Sequence, residues 1–320
     1  LTSKVLVLGA TGQVGRSIKD IVNSSLDLTK IYSPLKKDEF VFGSRNPEGD
    51  DIFLDLNGTD EEIFLVLDKI KPSLIINAAA WTAVDLAESK KSDAYQANAY
   101  GPRALAKWAA AYSGELIHFS TDYVFDGTLP SSRDEQASTN PLQIYGESKL
   151  LGERYIQEIL PMGIILRTSW VFSEHGTNFL KTMLRLGRDR EELSIVSDQI
   201  GAPTAAHTLA EIALRFASKI LDSKTNKNQE AFGGIYHVAS RGETSWYEFA
   251  RSIFETGKEL DFPLSVKAVK PILSSEYPTP AKRPLNSRLN ISKVEERLGI
   301  TLPPWQESML EVLKRLRTRA

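Results

Sequence analysis

Short apolar runs alternate with helix-spaced apolar positions through the first half of the chain. KVLVLG, FVFGSR, DIFLDL, SLIINAA, GELIHFSTD and MGIILRTSW are each bounded by polar or glycine-bearing turns, the pattern of buried parallel strands. Between them, Val14, Ile18, Ile21 and Val22 share one helical face, as do Ile63, Val66, Leu67 and Ile70. SDAYQANAYGPRALAKWAAAY reads as a longer helix despite Gly101 and Pro102. Strand then helix, repeated, predicts an α/β fold: a doubly wound parallel sheet of the Rossmann kind.

The rhythm breaks after Trp170, where glycines interrupt short apolar runs. A helix over about His207–Leu221, a polar loop DSKTNKNQE and a strand GIYHVAS then read as a return to the main sheet. A further helix, the proline-studded KPILSSEYPTPAKRP and a closing amphipathic helix complete the chain. The expected division interleaves two lobes. Residues 1–170 and 207–239 form the dinucleotide-binding domain, and 171–206 with 240–320 form a smaller α/β substrate lobe.

Composition narrows the function classes. Of 320 residues 42% are hydrophobic and 25% charged, an ordinary globular balance, and the net charge of -2 offers no global attraction to nucleic acid or anionic membrane. Neither a signal-peptide core nor a membrane-length apolar run is present, so a soluble cytoplasmic protein is expected. The absence of cysteine excludes thiolate chemistry, and His118, His175, His207 and His237 have no metal-ligand spacing, so no metal is expected.

VLVLGATGQVG places Gly9, Gly12 and Gly15 after a strand and at the opening of an amphipathic helix. That context predicts a dinucleotide site, with Thr11, Gln13 and Val14 completing the phosphate turn. At the end of the second strand, where NAD-specific sites carry an acid, stand Ser44 and Arg45, which suit a 2′-phosphate and predict NADPH. Asp55 and Leu56 are placed to meet the adenine. Ala78, Ala79, Ala80 and Thr82 close the fourth strand with small side chains beside the cofactor.

In IYGESKL, Tyr145 and Lys149 lie one helical turn apart. Hydride transfer to a carbonyl needs a proton donor, and a lysine cation one turn from a tyrosine lowers the phenol's pKa toward that task. Thr121, at the end of the fifth strand, is placed to orient the carbonyl oxygen.

With these residues in place, the sequence resembles the extended short-chain dehydrogenase/reductases, and within them the dTDP-4-dehydrorhamnose reductase family. GATGQVG, INAAAWTAVDLAE, STDYVFDG, RTSWVF, SDQIGAPT, YPTPAKRPLNSRL and LPPW carry the resemblance nearly end to end. It implies NADPH-dependent reduction of the C4 keto group of dTDP-4-dehydro-L-rhamnose to dTDP-L-rhamnose, with NADH as a second donor to be tested. It makes Tyr145 the proton donor, Lys149 its activator and ribose ligand, and Thr121 the carbonyl partner. Val84, Asp122, Tyr123 and Trp170 are brought near the sugar. Arg283 is the first choice for the diphosphate, with Asn178, Gln199 and Ile200 as further nucleotide contacts. Some bacterial members form a metal-bridged dimer through carboxylates. The matching positions here, Ser17, His207 and Gln306, are not acids, so a homodimer stays open and that metal is not expected. The competing readings are another keto-deoxysugar reductase, a nucleotide-sugar epimerase, and a non-catalytic subunit like the regulatory partner of methionine adenosyltransferase.

Overall fold

Val5, Leu6, Val7 and Leu8 are each at most 1% exposed, and their side chains divide between two core layers. Val5 and Val7 join Leu74 and Ile76 on one face, while Leu6 and Leu8 join Ile75 on the other. Burial on both faces is what a run such as VLVL demands, at roughly 1.5–3 kcal/mol for each large apolar side chain taken from water. The computed structural model, which describes residues 3–25, 27–226 and 231–319, meets that demand with a seven-stranded parallel sheet.

The strands are β1 (Val5–Leu8), β2 (Phe40–Ser44), β3 (Ile52–Phe53), β4 (Leu74–Asn77), β5 (Glu115–Thr121), β6 (Ile164–Thr168) and β7 (Gly234–His237). Their spatial order is β7-β6-β5-β4-β1-β2-β3. Helices Gln13–Asn23 and Ala206–Asn226 cover one face through Ile18, Val22, Leu209 and Phe216. On the other, Asp60–Ile70, Gly101–Ala111 and Ile144–Ile159 contribute Ile63, Leu67, Trp108 and Ile156. The chain leaves β1 toward β2 and returns to β4 on β1's other side, which opens a crevice beyond the carboxyl ends of β1 and β4.

A separate apolar cluster gathers Phe172, Leu180, Met183, Phe249, Ile253 and Leu313. It is enclosed by helices Phe179–Asp189, Trp246–Glu259 and Trp305–Arg319 and by the parallel pair Glu192–Val196 and Ala268–Ile272. The latter strand comes partly from the proline-studded stretch. DIFLDL yields only the two-residue β3, and the long helix contains a π turn, Gln96–Tyr100, between Lys91–Tyr95 and Gly101–Ala111. The helix beginning at Ala206 continues to Asn226, through the first five residues of DSKTNKNQE, whose last four lie outside the described residues. Among the described residues no helix is long and apolar enough to cross a membrane.

Candidate active site

Gly9 turns the chain at φ +78°, and a Cβ there would stand 2.6 Å from the amide nitrogen of Ala79. One on Gly15 would reach within 2.1 Å of the Gly9 carbonyl. Both glycines therefore let the turn, the helix and the end of β4 close on one another. Gly12 caps the helix without a side-chain hydrogen bond, so the helix N-terminus keeps donors for an anion.

An open cleft of about 650 Å³ runs from this turn across the sheet. Gly9, Thr11, Gly12, Gln13 and Val14 form one wall, and Ser44, Arg45, Asp55 and Leu56 lie beyond β2. Ala78, Ala79, Ala80 and Thr82 follow β4, with Tyr145 and Lys149 at the other end. Gly15 is the one expected cofactor residue that does not line the cleft; it supports Gly9 from below. The lining suits an NADP-type dinucleotide. The buried Ser44 hydroxyl has no hydrogen-bond partner, and Arg45 makes no ion pair or side-chain hydrogen bond among the described residues, which leaves both for a phosphate.

Tyr145 and Lys149 are set by the helix Ile144–Ile159, whose N-cap Gln143 accepts from the Gly146 N–H. Thr121 stands beside the Tyr145 hydroxyl, and its Oγ1 donates to Asp122 Oδ1 at 3.1 Å. The expected lowering of the phenol is absent. Burial pushes Tyr145 up to about 12, with Thr121 opposing and the Asp122 charge adding. Lys149 is turned to other partners: its amine donates to the Phe119 carbonyl at 2.6 Å and lies 3.1 Å from His118 Nε2. Burial also brings Lys149 down to about 8, against the pull of Glu153. A phenol protonated at neutral pH is nonetheless the state a proton donor requires.

Two buried networks hold this arrangement, and neither was read from the sequence. Glu153, one turn past Lys149, takes a bidentate ion pair from Arg167 of β6, the shortest contact 2.6 Å, and accepts from Ser120 of β5. The spacing of Tyr145, Lys149 and Glu153 at successive fours was the available signal. Asn98, in the π turn, accepts from the Trp81 N–H at 2.8 Å and donates to the Trp81 carbonyl and to Ser148 Oγ. It thereby ties the loop after β4 to the helix that carries Tyr145 and Lys149.

The RmlD substrate binding domain model matches residues 3–318. The dTDP-4-dehydrorhamnose reductase of Aggregatibacter actinomycetemcomitans is 39% identical over 97% of this chain and 98% of its own. The chain belongs to the dTDP-4-dehydrorhamnose reductase family. Among solved structures, the Clostridium acetobutylicum reductase superposes with TM-score 0.82 at 33% identity, covering 98% of this chain and 99% of its own. The Bacillus anthracis reductase, solved in complex with NADP, gives 0.79 at 32% identity, covering 98% and 100%. An NAD(P) cofactor thus accompanies the family assignment.

Within this reductase fold, the substrate-side candidates fall into three groups. Thr121, Asp122 and Tyr123 sit together at the end of β5, with Arg283 beside Tyr123. Arg283 is not free: it pairs bidentately with Asp85, at 2.8 and 3.1 Å, on the short helix Val84–Ala87 that carries Val84. Trp170 stacks on Trp246 at 3.6 Å, and Gln199 accepts from that Trp246 N–H while donating to Ser274. Asn178 belongs to the cofactor side, where it donates to Gln13 Oε1 at 2.9 Å and caps the helix Phe179–Asp189. Burial raises Asp122 to about 7, with Ser287 and Thr121 opposing. Asp20, Glu174 and His175 bring ligand-type atoms within 4.8 Å of one another, a cluster that sequence spacing conceals because Asp20 comes from a distant helix.

Proposed function

We propose that this chain reduces the C4 keto group of dTDP-4-dehydro-L-rhamnose, using NADPH, to give dTDP-L-rhamnose. The observation that carries the reading is the single cleft shared by the glycine turn and the Tyr145 and Lys149 side chains, in a chain of this reductase family. NADPH, when bound, supplies the hydride. Thr121 and Tyr145 hold the carbonyl oxygen, and the Tyr145 hydroxyl delivers the proton to it. Lys149 holds the ribose. Val84, Asp122, Tyr123 and Trp170 surround the sugar, while Arg283, Asn178 and Gln199 serve the nucleotide diphosphate. Arg283 does so by exchanging Asp85 for phosphate oxygens.

The lobe division proposed above is supported by the separate apolar cluster outside the sheet's two core layers. Ser44 and Arg45 favour NADPH over NADH. Arg45→Ala is expected to raise KM for NADPH about tenfold, the scale of one charge-assisted hydrogen bond, and to leave that for NADH nearly unchanged.

The direct test follows NADPH absorbance with dTDP-4-dehydro-L-rhamnose formed in situ from dTDP-glucose by a dehydratase and an epimerase. Oxidation that requires the epimerase and yields dTDP-L-rhamnose supports the reading. Oxidation without the epimerase assigns a reductase of the unepimerised keto sugar, and none with either cofactor removes the reductase role.

A further inference from the structure

His118 lies fully buried in β5, between Asn77 at the end of β4 and Lys149 on the catalytic helix. Its Nδ1 is 3.0 Å from Asn77 Nδ2, and its Nε2 is 3.1 Å from Lys149 Nζ. The hydrogen-bonding roles are constrained from one end. The backbone N–H of Ala79 donates to Asn77 Oδ1 at 3.1 Å, so the amide presents its NH2 group to the ring. Nδ1 must then accept. Burial holds the imidazole neutral, its pKa well below the ordinary histidine value, so the ring proton sits on Nε2. That N–H faces Lys149, and an ammonium has no lone pair to receive it. A neutral amine does, and can still donate to the Phe119 carbonyl.

We infer that His118 is a positioning residue that couples the charge of Lys149 to its own tautomer and, through Asn77, to the turn that walls the cofactor cleft. With Lys149 as the amine, the ring carries its proton on Nε2 and Asn77 keeps the Ala79 N–H. With Lys149 as the ammonium, Nε2 must accept, the ring proton belongs on Nδ1, and the Asn77 amide must turn its oxygen to the ring and release Ala79. The imidazole is neutral in both states. Ala78, Ala79 and Ala80 line the cleft, so protonating the lysine changes the hydrogen bonding of that wall.

The other ionisable groups near this pair are Glu153, Arg167, Tyr145 and Asp122, and Asp122, raised to about 7, titrates on the acid side of the lysine. Glu153, on the lysine's own helix, is held by Arg167 of β6. Tyr145 precedes Lys149 by one turn, and Asp122 follows the end of β5. β4 offers only Leu74, Ile75 and Ile76 besides Asn77.

The consequence for turnover rests on the proposed reductase role of Lys149, whereas the tautomer exchange does not. The test is a titration of the full chain labelled with 15N-histidine, from about pH 6 to about pH 10, reading ring tautomers by long-range proton–nitrogen correlation. His118→Gln assigns the signal by its loss. The expected result is passage from Nδ1–H at low pH to Nε2–H at high pH, with a midpoint at the lysine's value of about 8. In Asn77→Asp, the carboxylate accepts from both Ala79 and Nδ1–H. The ring is then expected to stay Nδ1–H, and the alkaline limb of the kcat profile to move up by about one unit. A wild-type tautomer that never changes overturns the inference, whatever the activity. So does an Asn77→Asp ring that still changes tautomer over the same pH range. If Asn77→Asp fails to fold, the wild-type titration decides alone. A tautomer that switches in a protein without keto-sugar reductase activity would sustain the coupling and remove the proposed function.

Discussion

At Asp122 one carboxylate oxygen accepts from Thr121, while the other is buried without a partner. Withdrawal from water lifts this group from 3.8 to about 7. The folded-state value exceeds the unfolded one, so the native protein binds the extra proton between those limits. That contribution to stability is present at acid pH and lost as pH rises through about 7. Asp122→Asn keeps the acceptor for Thr121 and removes the titration. Its melting temperature, relative to wild type, is therefore expected to rise by a few degrees between about pH 5 and about pH 8. An unchanged difference would deny the raised value. Thr121, Tyr145 and Lys149 were legible because a strand end and a four-residue helical spacing specify them. His118 was not. It faces Asn77 only because the β4 and β5 register pairs those two residues, and register is a property of the assembled sheet.

The helix Ile144–Ile159 is placed by its buried face rather than by its propensity. Glu153 and Arg167 are nearly inaccessible and bind each other bidentately, so removing one charge strands the other. Glu153→Gln is expected to cost about 3–5 kcal/mol in denaturant unfolding, the range for breaking a buried pair from one side. Gly152 allows a second contact, since a Cβ there would stand 2.2 Å from the Asn98 carbonyl in the π turn. Gly152→Ala must push the helix from that turn, and turnover is expected to fall more than NADPH affinity. The first-half strands and helices were legible from periodicity. Past Trp170 the elements include Val171–Phe172, Ile200–Gly201 and Thr204–Ala205, two residues each, too short for any repeat to register. The π turn Gln96–Tyr100 was not read from the sequence either.

Across the whole molecule, the crevice between β1 and β4 forms one side of the cleft proposed for the dinucleotide, and the segment after β6 packs beside it. Gln13 at the glycine turn accepts from Ser173 and Asn178, and Asp85 pairs with Arg283, so both ends of the cleft are bridged by distant parts of the chain. Arg283 and Asn178, expected from the sequence as nucleotide contacts, are the residues that make these bridges. NADPH at about 100 times its Kd is expected to stabilise the protein by about 2.7 kcal/mol, a rise in melting temperature of several degrees. No shift would argue against the cleft as the dinucleotide site. The most direct test of the account is single-turnover oxidation of bound NADPH by dTDP-4-dehydro-L-rhamnose in wild type and Tyr145→Phe. The account predicts a rate at least about 100-fold lower in the variant with NADPH affinity retained. A wild-type rate in Tyr145→Phe would contradict it, because the proton would then reach the carbonyl oxygen by another route.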